Sequence, residues 1–171
     1  MTVDLRALVR DVPDYPKPGI LFKDITPVLA SPPGFLAAIE QLAAPFLGQR
    51  IDHVLGVESR GFMFAAPIAL RLGAGFVPVR KPGKLPRKCD RVEYALEYGT
   101  DAVEMHADAL GRGSRVLIID DVIATGGTAR AAVDLAKGQG AEVVAAAFLL
   151  ELTFLGGGAK LGVPYSALIT Y

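Results

Sequence analysis

Residues 116–129 read V-L-I-I-D-D-V-I-A-T-G-G-T-A, and this stretch decides the fold prediction. The first four residues are apolar and predict a buried strand of the parallel kind. Two adjacent acids, Asp120 and Asp121, are expected where that strand ends, and an alanine-rich helix is predicted from about residue 129 to 137. A strand, an acid pair, a glycine-rich loop and a helix in this order are much rarer than a polar turn, so the pattern favours a ligand site.

The loop at 124–128, A-T-G-G-T, has the chemistry of a phosphate-binding site. Its N–H groups lack partners at the start of a helix, and the helix dipole there favours an anion. Ionised carboxylates only accept hydrogen bonds, so the acid pair suits the two hydroxyl groups of a ribose. The stretch is therefore shaped for a ribose 5-phosphate. It is neither a P-loop nor a dinucleotide fingerprint, since no lysine follows the glycines and no G-x-G-x-x-G occurs.

Composition excludes several classes of protein. A chain of 171 residues with 51% hydrophobic content can form one ordered domain with a substantial core. Its 18 basic and 18 acidic residues cancel, which argues against wholesale binding to nucleic acid or to a membrane. One cysteine and two histidines leave little material for a disulfide or a metal cage. Without a signal peptide or an apolar run of membrane-spanning length, a cytoplasmic protein is expected.

Predicted strands alternate with predicted helices along most of the chain. The strands are expected at 51–57, 75–79, 116–119, 143–150 and 166–171, and the helices at about 3–9, 33–47, 62–72 and 129–138. This alternation predicts an α/β fold with a mostly parallel, twisted sheet flanked by helices. Ligands bind outside the carboxyl ends of such strands. The polar residues at 58–61 and at 120–128 should therefore lie on the same rim.

Three segments depart from the alternation. Prolines and a glycine predict an irregular segment at 16–27. Residues 81–91, K-P-G-K-L-P-R-K-C-D-R, are basic and without apolar periodicity. They are interpreted as a mobile lid over an anionic substrate, with a solvated surface loop as the alternative. Residues 92–98 and 101–106 predict a β-hairpin appended to the sheet.

These segments carry a resemblance to a known family. Residues 116–129 resemble the motif with which the type I phosphoribosyltransferases bind 5-phosphoribosyl 1-pyrophosphate (PRPP). Four other segments are similar to the adenine phosphoribosyltransferases: 13–27 to their hood, E-S-R-G-F at 58–62 to their pyrophosphate loop, 80–86 to the start of their flexible lid, and 94–99 to the strand with their catalytic acid. The resemblance spans roughly residues 13–153. It implies a type I phosphoribosyltransferase fold in a single domain, 1–171, with a small N-terminal hood within about 1–35 and a flexible lid and hairpin at about 81–106.

The resemblance also implies a reaction and its partners. Adenine and PRPP would give AMP and pyrophosphate, a step of purine salvage, in a homodimer without nucleic acid or membrane partners. Mg²⁺ would be the cofactor. It would have no direct protein ligand and would be held mainly by PRPP, pyrophosphate and water, as this cation commonly is.

Site residues follow from the same resemblance. For the ribose and the 5-phosphate it implies Asp120, Asp121, Ala124, Thr125, Gly126, Gly127 and Thr128. For pyrophosphate it implies Glu58, Ser59, Arg60, Gly61, Arg80, Lys81 and Lys84, with a non-proline cis peptide at Glu58–Ser59. For adenine it implies Leu21, Phe22, Lys23, Arg60 and Ile123. The catalytic residues would be Glu97, Asp120, Asp121 and Arg60.

The assignment of Glu97 has two competitors, Glu93 and Glu104. In the hypoxanthine-guanine enzymes an aspartate that works on purine N7 occupies the position of Ala124, and alanine cannot exchange a proton. Another acid must then serve N7, and the similarity of L-E-Y-G at 96–99 selects Glu97.

Two other functions are kept as alternatives. One is a xanthine- or hypoxanthine-specific phosphoribosyltransferase, against which Ala124 and the hood sequence argue. The other is a regulator of the same fold that senses PRPP and binds nucleic acid. The zero net charge argues against such a regulator, because nucleic-acid binding calls for a basic face.

Overall fold

The computed structural model describes residues 3–96 and 99–171, and these contain five α-helices and nine strands. In chain order they are α1 (Leu5–Leu8), β1 (Arg10–Pro13), β2 (Leu21–Asp24), α2 (Thr26–Ala30), α3 (Pro32–Ala43), β3 (His53–Val57), α4 (Gly61–Leu72), β4 (Gly75–Val79), β5 (Cys89–Ala95), β6 (Thr100–His106), β7 (Arg115–Ile123), α5 (Gly127–Gly138), β8 (Glu142–Glu151) and β9 (Tyr165–Thr170). Among these helices, none combines the length and the apolar character that crossing a membrane requires.

A parallel sheet forms the centre of the fold, with the strand order β4-β3-β7-β8-β9. Four of its five strands lie within two residues of their predicted bounds. The long helices α3, α4 and α5 also form in the predicted segments, although α3 ends four residues early, at Ala43, and α5 begins two residues early, at Gly127. The predicted parallel α/β sheet flanked by helices is confirmed.

Strand β7 supplies apolar side chains to both faces of this sheet. Val116 and Ile118 pack in one buried cluster with α5, whereas Leu117 and Ile119 pack in a second cluster with α3 and α4. Successive side chains of a strand point to opposite faces. An unbroken apolar run is therefore what a strand covered on both sides requires, and it explains why this strand could be recognised from four residues.

The predicted end of β7 at Ile119 is wrong, because the strand continues to Ile123. Val122 and Ile123 are β-branched and remain paired with Leu150 and Glu151 of β8. The acid pair consequently lies inside the strand rather than after it, where sheet pairing holds its backbone.

The irregular segment predicted at 16–27 is also partly wrong. Residues 21–24 form β2, which pairs antiparallel with β1, and α2 begins at Thr26. The prolines lie in the turn between the two strands and in the first turn of α2, where they disturb neither element. Asp24 also supports the helix start, because its carboxylate accepts a hydrogen bond of 2.9 Å from the Thr26 N–H.

The predicted hairpin is present as β5 and β6, which pair antiparallel as a separate two-stranded sheet. A bridge between Arg80 and Glu104 connects it to the end of β4, and Val92 and Tyr94 pack against the cluster that contains α5. Residues 89–91, predicted as part of the lid, belong to β5. The hairpin is thus docked beside the loop that precedes α5.

Candidate active site

The predicted site residues line one cleft of about 480 Å³ at the carboxyl ends of β3 and β7. Its walls come from residues 20–23, 58–60 and 120–129, together with Lys81, Leu150 and Leu152. The predicted common rim of the two polar loops is confirmed. Of the predicted site residues that the structure describes, Gly61, Arg80 and Lys84 do not line the cleft.

Helices α4 and α5 both begin at this cleft. Neither has a side-chain hydrogen bond at its N-cap, where Arg60 and Gly126 stand. The first N–H groups of an α-helix have no partner within the helix, and the helix dipole makes this end attractive to anions. Because β3 and β7 are adjacent and parallel, the cleft presents two such helix starts. It can therefore hold two phosphate groups of one ligand.

The loop before α5 depends on glycine. Gly126 has a φ of 81°, a conformation that costs glycine little and other residues more. A Cβ at this position would also lie 2.4 Å from the Gly157 carbonyl oxygen. Thr128 falls in the first turn of α5 and lines the cleft beside these N–H groups, and its hydroxyl donates to the Tyr94 hydroxyl at 2.9 Å.

A C-terminal turn that the sequence did not single out supports this loop. A Cβ on Gly157 would lie 2.3 Å from the Ala124 carbonyl oxygen and 2.7 Å from the Gly126 nitrogen. Lys160 donates from Nζ to the Thr125 carbonyl oxygen at 2.9 Å. The two segments are about 30 residues apart in the chain, and the close backbone contacts with the Lys160 hydrogen bond show that they pack together.

The acid pair stands between the two helix starts. Asp121 is 4% exposed and forms an ion pair with Arg60. The Asp120 carboxylate accepts a hydrogen bond of 2.9 Å from the Asp121 N–H. Burial raises the pKa of Asp120 well above its ordinary value, and the neighbouring Asp121 charge raises it further. A ligand that donates hydrogen bonds or carries positive charge would stabilise this pair.

Arg60 connects the acid pair to the N-terminal hairpin of β1 and β2. Besides its ion pair with Asp121, its guanidinium carbon lies 5.8 Å from the centre of the Phe22 ring. The side chain lines the cleft and is 47% exposed. The cis peptide predicted just before it, at Glu58–Ser59, is present.

Glu58 lines the cleft, and its carboxylate is held by the start of the predicted lid. Its carboxylate accepts hydrogen bonds from the Lys81 N–H at 2.9 Å and from Arg80 Nε at 3.1 Å. Burial alone would raise the pKa of Glu58, but these two donors lower it below its ordinary value. The side chain therefore fixes the start of the predicted lid, and a carboxylate so committed is unsuited to contact an anion.

The hairpin residues 21–23 form the opposite wall of the cleft. The side chain of Lys23 is committed elsewhere, because Nζ pairs with Asp11 at 2.6 Å and lies 3.9 Å from the centre of the Tyr171 ring. What Lys23 offers the cleft is therefore its backbone. Ile123 is 1% exposed and lines the floor.

The predicted catalytic acid, Glu97, lies outside the described residues, as does Tyr98. Its two competitors are committed elsewhere: Glu93 pairs with Arg91 at 2.9 Å, and Glu104 accepts a hydrogen bond of 3.0 Å from the Gly83 N–H. Neither lines the cleft. Residues 3–96 and 99–171 also contain no group of three or more histidine, cysteine or acidic side chains suited to hold a metal ion.

Comparison with known proteins agrees with this site. The profile of the phosphoribosyl transferase domain matches residues 29–162. An adenine phosphoribosyltransferase of Thermobifida fusca is 60% identical over 165 residues, which cover 94% of each chain. Among solved structures, an adenine phosphoribosyltransferase of Thermoanaerobacter pseudethanolicus superposes with a TM-score of 0.94 at 50% identity, covering 98% of both chains.

A third relative was solved with ligands. The adenine phosphoribosyltransferase of Saccharomyces cerevisiae, in complex with an imino-altritol bisphosphate and adenine, has a TM-score of 0.91 and 43% identity, and 96% of each chain is covered. Matches of this extent and identity establish the family and its type I fold. The chain therefore belongs to the phosphoribosyltransferase family, within its group of adenine phosphoribosyltransferases.

Proposed function

We propose that the chain transfers the 5-phosphoribosyl group of PRPP to adenine, with release of pyrophosphate and formation of AMP, in purine salvage. The observation that carries the proposal is the pair of uncapped helix starts on one cleft, with two carboxylates between them. PRPP has a phosphate at one end of its ribose and a pyrophosphate at the other. Its charge pattern fits this arrangement, since α5 would take the 5-phosphate and α4 the pyrophosphate.

The acid pair supplies the electrostatic part of the mechanism. As the C1–oxygen bond to pyrophosphate breaks, the ribose ring gains positive charge before the bond to the adenine nitrogen forms. Asp120 and Asp121 would accept hydrogen bonds from the ribose hydroxyls and face this charge. Ionisation of Asp120 is costly because of burial and the neighbouring charge, and a cationic ring beside it would offset that cost. The electrostatic stabilisation by this carboxylate is therefore largest in the transition state.

The base would be recognised by the N-terminal hairpin. The Leu21 carbonyl would accept a hydrogen bond from the adenine amino group, and the Lys23 N–H would donate to adenine N1. Arg60 would stack on the ring, for which a planar guanidinium is suited, and Ile123 would pack against it. The engagement of the Lys23 side chain with Asp11 supports a readout by the main chain.

Glu97 would serve adenine N7, either as a proton donor or as a hydrogen-bond partner. Support comes from Tyr94, three positions earlier in the chain, which packs beside the loop that precedes α5. The assignment is also supported by the competing acids, since Glu93 pairs with Arg91, Glu104 accepts from the Gly83 N–H, and neither lines the cleft.

The residues of the cleft fit a magnesium ion that enters with PRPP. Mg²⁺ prefers phosphate oxygens, waters and one or two carboxylates to a dedicated protein cage. The oxygens available here are those of Asp120 and Asp121, beside the space for the ligand's own phosphates. When bound, the ion would offset negative charge on the leaving pyrophosphate.

The pyrophosphate would also meet basic residues. Lys81 lines the cleft, and Arg80 and Lys84 lie beside it. We place Lys81 and Lys84, with Arg80 just before them, in a lid and hairpin at about 81–106 that closes over PRPP, with a hood within about 1–35, both parts of one domain. We further propose a homodimer in the cytoplasm. The sheet edge at β4 supports the dimer, because Phe76 on that strand and Met63 and Leu70 on α4 are exposed apolar side chains.

The test is to incubate the chain with PRPP, Mg²⁺ and adenine, hypoxanthine, xanthine or guanine in turn, and to resolve the products by chromatography. The proposal expects AMP as the main product. IMP or XMP as the main product would select the hypoxanthine or xanthine alternative. Absence of any nucleotide, together with a PRPP-dependent gel shift of RNA or DNA, would select the regulator.

A further inference from the structure

One side chain connects the two anion sites of the cleft. Tyr94 lies on β5, and its ring packs so closely on the start of α5 that a Cβ at Gly127 would be 2.9 Å from Tyr94 Cδ2. Its hydroxyl accepts a hydrogen bond of 2.9 Å from Thr128 Oγ1, in the loop proposed for the 5-phosphate. The same oxygen accepts one of 2.8 Å from Lys81 Nζ, the cation proposed for pyrophosphate.

Asp101 completes this cluster from the neighbouring strand β6. The Tyr94 hydroxyl donates to Asp101 Oδ2 at 3.0 Å, and Lys81 forms an ion pair with the same carboxylate oxygen. Burial lowers the pKa of Lys81, but the hydrogen bonds to Asp101 and Tyr94 outweigh it and raise the pKa above its ordinary value. Lys81 is therefore charged and held on the hairpin in the empty cleft.

The Tyr94 hydroxyl has no capacity left in this arrangement. A phenol offers one proton and two lone pairs, and these are taken by Asp101, Thr128 and Lys81. The Thr128 hydroxyl also has a single proton, which it gives to Tyr94. A phosphate oxygen only accepts hydrogen bonds, so a 5-phosphate can gain the Thr128 proton only if Thr128 turns it away from Tyr94.

That exchange has a consequence for Lys81. Once Thr128 donates to the phosphate, its oxygen can accept the Tyr94 proton, because the two hydroxyl oxygens lie 2.9 Å apart. If Tyr94 turns its proton to Thr128, Asp101 loses the hydrogen bond that helps to fix the pair with Lys81. One proton cannot serve Asp101 and Thr128 together, and this limit links the state of one anion site to that of the other.

We propose that Tyr94 is a positioning residue that couples the 5-phosphate site to the pyrophosphate site and thereby favours PRPP over free pyrophosphate. With the cleft empty, Tyr94 and Asp101 hold Lys81 back. A 5-phosphate on Thr128 loosens that hold, and Lys81 then reaches the pyrophosphate. The inference rests on the proposed function, because it takes Thr128 and Lys81 as the contacts of the two ends of PRPP.

The coupling can be measured without turnover. The affinity for Mg²⁺-pyrophosphate is determined by calorimetry with and without saturating ribose 5-phosphate, and the ratio of the two affinities is the coupling factor. By thermodynamic linkage the same factor must be found when the two ligands are exchanged. We expect the factor in Tyr94→Phe to be at least about five-fold smaller than in the wild-type chain, since the hydroxyl that joins Thr128 to Lys81 and Asp101 is lost.

A second readout separates coupling from a purely structural role. Phenylalanine keeps the ring on Gly127, so pyrophosphate alone should bind Tyr94→Phe at least as tightly as it binds the wild-type chain. A damaged site would bind it more weakly. The matched control is Tyr165→Phe, which removes a hydroxyl that donates to Glu151 at 3.1 Å outside the cleft and should leave the coupling factor unchanged.

The outcomes separate the inference from the proposed function. An unchanged coupling factor in Tyr94→Phe, in a chain that still forms AMP, overturns the role of Tyr94 alone. If neither ribose 5-phosphate nor pyrophosphate binds the wild-type chain, both proposals fail. Should Tyr94→Phe not fold, Asp101→Asn takes its place. Asp101→Asn releases Lys81 from the hairpin. We expect the same decrease in the coupling factor, and tighter binding of pyrophosphate in the absence of ribose 5-phosphate.

Discussion

Replacing Gly157 by alanine tests whether the C-terminal turn holds the phosphate loop in place. The added Cβ would lie 2.3 Å from the Ala124 carbonyl oxygen, whereas Cβ contacts in proteins are essentially never shorter than 3.0 Å. The two backbone segments must therefore move apart by about 0.7 Å, the difference between these distances. Gly157 has a φ of −65°, which alanine adopts freely, and the substitution therefore tests space alone.

The expected losses of stability and of activity follow from this displacement. Overpacking a tight contact costs about 1–3 kcal/mol of the free energy of unfolding, and each kcal/mol lowers Tm by about 2–4 °C in a domain of this size. A misplacement near 1 Å can cost about a hundred-fold in rate. We therefore expect kcat/KM for PRPP to fall by roughly ten- to a hundred-fold, because the 5-phosphate loop is moved.

The assay is steady-state kinetics with PRPP varied at saturating adenine, beside thermal unfolding. Gly138→Ala is the matched control, since a Cβ there meets nothing within 4 Å and alanine favours a helix. It should leave both Tm and kcat/KM close to the wild-type values. If Gly157→Ala kept kcat/KM for PRPP within two-fold of the wild type, the turn would not position the loop and this reasoning would be refuted.

Three further predictions concern single side chains. Asp120→Asn should abolish most of the turnover yet stabilise the ligand-free chain at neutral pH. Burial and Asp121 raise the pKa of Asp120 in the folded state, so ionisation of Asp120 lowers the free energy of unfolding. In the wild-type chain stability therefore falls as pH rises from the ordinary aspartate pKa through the raised one. Melting curves across that pH range check it, and equal pH dependence of Tm in both chains would contradict it. Glu97→Gln should lower kcat by about a hundred- to ten-thousand-fold while Glu93→Gln stays near wild type; the reverse result would move the catalytic role. Lys23→Ala should lower Tm, because it removes the contacts with Asp11 and the Tyr171 ring, but keep the preference for adenine over hypoxanthine; a lost preference would mean that the side chain reads the base.

The parts of the fold that the sequence predicted are those governed by local chemistry. The run from Val116 to Ile119 is apolar because both faces of its strand are covered, and this leaves a signal in four consecutive residues. The glycines at 126 and 127 are required by one tight loop and the helix start after it. Such constraints act within a few residues, so the local pattern of residues is enough to place the strand, the loop and α5.

The parts that could not be predicted depend on contacts between distant segments. Val122 and Ile123 extend β7 because β8 offers them partners, which a local pattern does not reveal. Proline suggested an irregular N-terminal segment, but the pairing of β1 with β2 outweighed that tendency. The hydrogen bond between the Glu58 carboxylate and Arg80 joins residues 22 positions apart, and no local pattern reveals it.

The residues that hold the site loops in place could not be predicted from the sequence for the same reason. Gly157 and Lys160 lie in an ordinary glycine-rich turn of the sequence, and their role is set by the loop they contact. The cluster of Tyr94, Asp101 and Lys81 joins two strands and a loop. Sequence resemblance supplied the expected contacts to substrate, whereas the structure supplies residues that hold the loops on which those contacts would be made.

If the cleft recognises adenine through main-chain groups, the ratio of kcat/KM for adenine to that for hypoxanthine must be large. Adenine presents an amino donor and an unprotonated N1 to the Leu21 carbonyl and the Lys23 N–H, whereas hypoxanthine presents an oxygen and an N1–H. Two buried mismatches at about 1–3 kcal/mol each total roughly 2–6 kcal/mol. With PRPP and Mg²⁺ present, we predict a ratio of about thirty to more than ten thousand. A ratio near one would contradict recognition of adenine by the Leu21 carbonyl and the Lys23 N–H.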